Sequence, residues 1–263
     1  MEHNYKPKML NNLGWYFRRA LKFYDIKVDL VAPVAFLLVL AVNFICNYFF
    51  VPDISGLDKV TAEDVQKIFL MLSKSAFVYF INIVLVSVFS SIYLCAYIKD
   101  LKGEEYRLKD ILLTVTKNIH KLLLLYFTLY AAYPVLSAIF RLSPVRVLVV
   151  FSLFIPFAIG MIALFVMLVF SNCYILDKGN SLKNAYESSS KMTKGHKIEI
   201  FSLILLFMFG ATILSRGLTS VVLSFLPSTT SNMIILFVYA FIISMFNLME
   251  SRLIALVYMD LEY

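Results

Sequence analysis

Six apolar runs, over about residues 28–50, 76–98, 119–140, 147–173, 198–218 and 232–256, constrain this chain more than any other feature. Each is long enough to cross roughly 30 Å of hydrocarbon, which takes about 20 mostly apolar residues in a helix. No water is present there to satisfy backbone N–H and C=O groups, so a crossing segment must bond them within itself. Alternating patterning of the barrel kind is absent. The chain is 61% hydrophobic and 16% charged, against about 45–50% and 25% in soluble domains, and its mean hydropathy is +0.82. The fold class that follows is an all-α polytopic membrane protein with six transmembrane helices, a single integral membrane domain over residues 1–263. The first run follows Lys6, Lys8, Arg18, Arg19 and Lys22, as a secretory signal would. It is longer than a signal core and no small-residue cleavage site follows, so it is read as the first span.

Internal similarity organises these spans. Tyr97-Ile98-Lys99-Asp100 is echoed by Tyr174-Ile175-Leu176-Asp177, and each is followed by a glycine, an amphipathic stretch and an apolar run. In the first copy Leu108-Lys109-Asp110-Ile111 leads through Lys117 to His120-Lys121. In the second Leu182-Lys183-Asn184-Ala185 leads through Lys191 to His196-Lys197. Weaker echoes, Lys27-Val28-Asp29-Leu30 and Tyr258-Met259-Asp260, extend the pattern to three pseudo-repeats over about residues 10–100, 101–178 and 179–263. Each pseudo-repeat is an interfacial amphipathic helix plus two spans.

Lysine and arginine concentrate in the N-terminal segment, between Lys99 and Lys121, and between Lys178 and Lys197. Short basic loops stay on the cytoplasmic side, so six spans place both termini there. The net charge of +7 follows from this bias and from attraction to anionic lipid, about 1 kcal/mol per basic residue near the membrane surface. Nucleic acid is not needed to explain it. Leu108, Ile111, Leu112, Val115 and Ile119 recur at helical spacing, and Leu182, Ala185, Tyr186, Ser189 and Met192 form a weaker stripe behind Ser181 as N-cap. Lys109, Lys117, Lys121, Lys183, Lys191, Lys194 and Lys197 accompany these stripes. They are candidates for contact with the anionic inner leaflet or with a cytoplasmic protein partner; the plainer reading is a set of surface elbows that satisfy the positive-inside bias. On the opposite side, Thr61 followed by Glu63 and Asp64 predicts a short helix running into the second span.

Ionisable and polar residues within spans are functional candidates because hydrocarbon penalises them. Asn43, Asn82, Asn172, Glu250 and Arg252 are the candidates here. Glu250 and Arg252 are read as an interface pair near the cytoplasmic end or, alternatively, as a gate with Arg252 the counter-ion. Asn43 and Asn47 fall four apart, on one helix face, where interhelical hydrogen bonds compete with a solute path. Pro33, Pro134, Pro156 and Gly210 mark helix breaks, which serve either repeat packing or a transport site. Cys46, Cys95 and Cys173 read as packing residues. His120, His196 and Glu199 form a weak cluster at span starts. No catalytic, cofactor-binding or metal-binding motif appears.

From Tyr174 to His196-Lys197, a span exit with Asp177 and Gly179 precedes a short helix of the type Ala185-x-x-x-Ser189, which ends in Lys194-Gly195. This stretch resembles the six-span membrane domain fused to some bacterial glycerophosphodiester phosphodiesterases, and its free-standing relatives. The resemblance implies a bacterial plasma-membrane location and a membrane scaffold without the catalytic half, since a phosphodiesterase barrel with acidic metal ligands is not found up to Tyr263.

The leading expectation is therefore a non-enzymatic integral membrane protein without a cofactor, an accessory or scaffold module that contacts anionic lipid or a partner protein. The alternative is a transporter or permease subunit that exports, or gives immunity to, an amphipathic peptide or lipid. A lipid hydrolase built on His120, His196 and Glu199 is the third.

Overall fold

The computed structural model describes residues 13–50, 62–130, 160–224 and 232–263. Among them the regular elements are all helices: α1 (Leu13–Leu21), α2 (Val31–Phe50), α3 (Ala62–Lys102), α4 (Leu108–Lys117), α5 (Ile119–Tyr130), α6 (Ser171–Lys178), α7 (Leu182–Met192), α8 (Lys197–Ser224) and α9 (Asn232–Glu262). A helical stretch over residues 160–168 precedes α6. Among the described residues five segments are long and apolar enough to cross a membrane: Val31–Tyr48, Phe77–Lys102, Gly160–Lys178, Lys197–Val222 and Met233–Glu262. This is the composition and length of an integral membrane protein. The predicted third span is described only as the shorter apolar helix α5, and residues 131–140 and 147–159 of the predicted third and fourth spans lie outside the described residues. Thr61, Pro134 and Pro156 lie outside them too.

Helix α3 is the axis of the bundle, with α2, α4, α5, α6 and α9 packed against it. Its seven consecutive residues Ile92 to Ile98 are all buried, which happens only where a helix is apolar on every side and covered on every side. Helix α8 behaves differently. Ile200, Leu203, Ile204 and Phe207 form a buried stripe, α8 packs on α9, and Leu205, Leu206, Phe209 and Ile213 are exposed. In a bilayer such an apolar outer face costs nothing, because lipid tails are as apolar as leucine.

Two sequence-predicted breaks are not breaks. Pro33 sits in the first turn of α2, where its missing N–H has no intrahelical partner to lose. Gly210 lies inside the continuous α8, and apart from its chain neighbours and the adjoining helix backbone no atom stands within 4 Å of where its Cβ would be. The interruption that does occur is at Val169 and Phe170, ahead of α6. There the buried Ser189 of α7 donates to the Met167 carbonyl at 2.7 Å and accepts the Phe170 N–H at 3.3 Å. A hydroxyl thus replaces the missing helical bonds.

The glycines that follow the first two Tyr-to-Asp segments end their helices. Gly103 (φ +74°) and Gly179 (φ +66°) take the left-handed conformation that a side chain disfavours. Behind these turns α4 and α7 fold back onto the bundle. Ile111 and Val115 of α4, and Ala185 and Ser189 of α7, are buried, so each predicted stripe faces protein. Ser181 caps α7 by accepting the Asn184 N–H at 3.4 Å. Helix α1 buries Tyr16 and Ala20, four residues apart on one face, and packs against α9.

Candidate functional site: a polar ring and a cavity in the bundle

The aspartates of the three Tyr-to-Asp segments are tied together at one end of the bundle. Asp100 accepts the Tyr106 hydroxyl at 2.8 Å and the Lys27 backbone N–H at 2.9 Å. Asp177 accepts the Lys102 ammonium at 2.5 Å and the Tyr258 hydroxyl at 2.9 Å. Asp260 accepts from the Tyr16 hydroxyl, and Glu262 from the Tyr174 hydroxyl and the Lys178 ammonium. These bonds join the α1–α2 connection to α3, α3 to α6, α6 to α9 and α9 to α1, which closes a circuit. Asp177 is only 4% exposed at its side chain, so a carboxylate there depends on its partners. Burial first, then the bond to Asp100, pushes the Tyr106 hydroxyl well above the usual tyrosine range.

Arg252 belongs to the same end. Its Nη1 donates to the carbonyls of Lys22 and of Asp25 (2.8 Å) and to the Tyr93 hydroxyl (3.2 Å). The guanidinium stands 4.2 Å from the Tyr97 ring centroid, and Tyr93 itself donates to the Phe23 carbonyl at 2.7 Å. Arg252 therefore fastens the α1–α2 connection against α3 and α9. It is not the partner of Glu250. Residues two apart on a helix point about 200° away from each other, and that spacing was readable in the sequence.

Glu250 faces a cavity of about 290 Å³. Along α9 it lies twelve residues before Glu262, about 18 Å at roughly 1.5 Å per residue, so the cavity is well inside the bundle. Asn43, Asn47, Asn82 and Asn247 line it with Glu250. The rest of the wall is largely aromatic and aliphatic, including Tyr79, Phe165, Phe207, Tyr239 and Phe246. A smaller cavity of about 60 Å³ shares Ser87, Tyr130, Asn247 and Glu250 with it and reaches Asn172. Four of the five sequence-predicted intramembrane residues, Asn43, Asn82, Asn172 and Glu250, thus line one or other of two adjoining spaces, and Arg252 is the exception.

The amides of this region are turned into the protein. Asn43 donates to the Ser244 hydroxyl at 2.9 Å, Asn82 to Asn43 Oδ1 at 3.2 Å and Asn47 to the Asn43 carbonyl at 2.7 Å. Asn172 donates to the Tyr126 hydroxyl at 3.1 Å, which lies 3.0 Å from Ser91 Oγ. Asn82 Oδ1 and Ser90 Oγ are buried with no hydrogen-bond partner, and no described residue bonds or pairs with the Glu250 carboxyl.

The basic candidates lie outside both features. Lys109, Lys117, Lys183, Lys191, Lys194 and Lys197 are exposed. Lys121 is turned inward, where it donates to Asn118 Oδ1 at 2.9 Å and to the Gly179 and Asn180 carbonyls at 3.4 and 3.2 Å. It caps the C-terminus of α6, where a cation meets the negative end of the helix dipole. His196 and Glu199 pair locally at 2.8 Å, and among the described residues no three His, Cys, Asp or Glu side chains gather as a metal site. Ser244 and Tyr126 were not singled out by sequence, since a lone hydroxyl in an apolar run carries no signal of its partner, and Ser189 was read only as part of the α7 stripe and of the Ala185-x-x-x-Ser189 pattern.

Comparison with known proteins finds no matching protein family, no curated protein of similar sequence and no solved structure of similar fold.

Proposed function

We propose that this chain is a membrane transport component, a permease or a permease subunit, whose solute occupies the space in front of Glu250. One observation carries the reading: a carboxyl group deep in an apolar bundle faces a cavity instead of a cation. An ionisable side chain at that depth is costly unless paired or used, and Arg252, two residues away, is engaged elsewhere. The cavity also stands close to the roughly 300–1,000 Å³ usual for small-ligand sites.

The proposal includes six spans in three pseudo-repeats and both termini on the cytoplasmic side of a bacterial plasma membrane. The convergence of Asp100, Asp177 and Asp260 supports the repeat, and the lysines of α4 and α7 support the orientation by the positive-inside bias. The bacterial origin rests on the likeness of residues 174–197 to the phosphodiesterase-linked membrane domain. A second reading, a non-enzymatic accessory or scaffold seated on anionic lipid or on a partner protein, is favoured by the exposed lysines alone. It ranks below transport because it gives Glu250 no role.

Cysteine labelling tests the leading reading without knowledge of the solute. Cys46, Cys95 and Cys173 are replaced by alanine, and single cysteines are placed at Thr212 and Asn247 on the cavity wall and at the exposed Ile213 and Leu206. A membrane-impermeant thiol reagent is expected to modify the first two and not the last two. If Thr212 and Asn247 react no faster than Ile213 and Leu206, the transport reading falls.

A further inference from the structure

We propose that the cavity selects a small amphipathic monocation bearing an N–H donor, held by the Glu250 carboxylate with its apolar body against the aromatic wall. The proposal rests on the solute-cavity reading above and names the class of solute.

Charge is the first discriminator. Among the described lining residues of the two adjoining spaces there is no lysine, arginine or histidine, and Glu250 is the one carboxylate. The nearest cation along the chain, Arg252, is held by the Lys22 and Asp25 carbonyls. An anion placed here would meet a like charge with no compensating cation, and in a medium of low dielectric that repulsion is strong.

Hydrogen-bond direction agrees with the charge. The amide nitrogens of Asn43, Asn47 and Asn82 all donate to protein oxygens. The Glu250 carboxylate, which can only accept, has no donor among the described residues. Buried polar atoms are nearly always satisfied, so an unmatched carboxylate is complementary to a donor. An ammonium supplies both the charge and the N–H groups.

The wall and the volume complete the description. Tyr79, Tyr239 and Phe246 present rings to the space, and aromatic faces attract a desolvated cation as well as burying its hydrocarbon. About 290 Å³ accommodates a compact amphiphile. This narrows the solute expected from sequence.

A charge series of nearly constant shape tests this: 4-phenylbutylammonium, 4-phenylbutanol and 4-phenylbutyrate, presented to the purified full chain in nanodiscs of neutral lipid. Radiolabelled 4-phenylbutylammonium is expected to bind saturably and to be displaced by its unlabelled form far better than by the alcohol, and not by the butyrate. Glu250→Gln is expected to weaken the ammonium about thirtyfold or more, as removal of one partner of a buried charge pair does, with alcohol binding changed less than about twofold. Glu250→Asp, which retains the charge, is expected to recover part of the loss. If the alcohol or the butyrate binds as well as the ammonium, or if Glu250→Gln weakens all binding probes equally, the cation proposal is overturned while the cavity reading stands. Absence of saturable binding by all three overturns it as well, and the labelling of Thr212 and Asn247 then shows separately whether the cavity reading falls too.

Discussion

The charged end of the bundle and the cavity within it both combine tyrosines with acids, and they differ in whether the acids are matched. At the end, Asp100, Asp177, Asp260 and Glu262 each accept from a tyrosine hydroxyl, and two of them, Asp177 and Glu262, also accept from a lysine ammonium. In the cavity, Glu250 accepts from no described residue and Asn82 Oδ1 has no partner. A polar group that is matched within the protein holds the fold. One that lacks a partner in the protein carries its desolvation cost without that return, and in the reading proposed above it is the group left for a solute.

Mutations separate the two regions by their effect on stability. The largest loss is expected for Asp177→Asn, which keeps the volume but leaves the Lys102 ammonium, 19% exposed, without its carboxylate. Thermal unfolding of detergent-solubilised protein should register a fall of about 2–3 kcal/mol. Arg252→Lys comes next, at about 1–2 kcal/mol, because an ammonium cannot both reach the two carbonyls and stack on Tyr97. Intact stability in that variant would mean the α1–α2 connection is held by other contacts.

Tyr106→Phe is expected to cost about 0.5–1 kcal/mol at pH 8, one hydrogen bond to a partly exposed carboxylate. Its pH dependence has a definite sign. The Tyr106 hydroxyl ionises above its unfolded value of about 10, so its contribution is fully present below pH ~10 and is lost as pH rises beyond it. The gap between wild type and variant should therefore close in alkali; a gap that widens there would break the assignment. No loss is expected for Glu250→Gln, which removes no partner and relieves the desolvation of an unmatched charge, so its stability should equal or exceed that of wild type. A loss there as large as that of Asp177→Asn would erase the contrast between ring and cavity.

Much of this was legible beforehand. The helices over Val31–Tyr48, Phe77–Lys102, Lys197–Val222 and Met233–Glu262 follow the apolar runs within a few residues, and the Ser181 cap and the buried stripe of Ile111 and Val115 match the periodicity. Four of the five polar residues flagged by their depth line the two spaces. The breaks at Pro33 and Gly210 were misread, because a proline in a first turn and a glycine in an uncrowded helix cost little. The real interruption at Phe170 depends on Ser189, nineteen residues away.

Sequence alone determined that the chain forms apolar helices with basic segments gathered between them, because the transfer of a segment into hydrocarbon depends on its own length and composition. Only the tertiary structure decided which polar groups are paired. Tyr16 meets Asp260 across 244 residues and Asn43 meets Ser244 across 201, and no local pattern encodes a partner at that distance. The separation of Arg252 into the ring and Glu250 into the cavity has the same origin, since the helix turns them apart and the surrounding helices settle what each one meets.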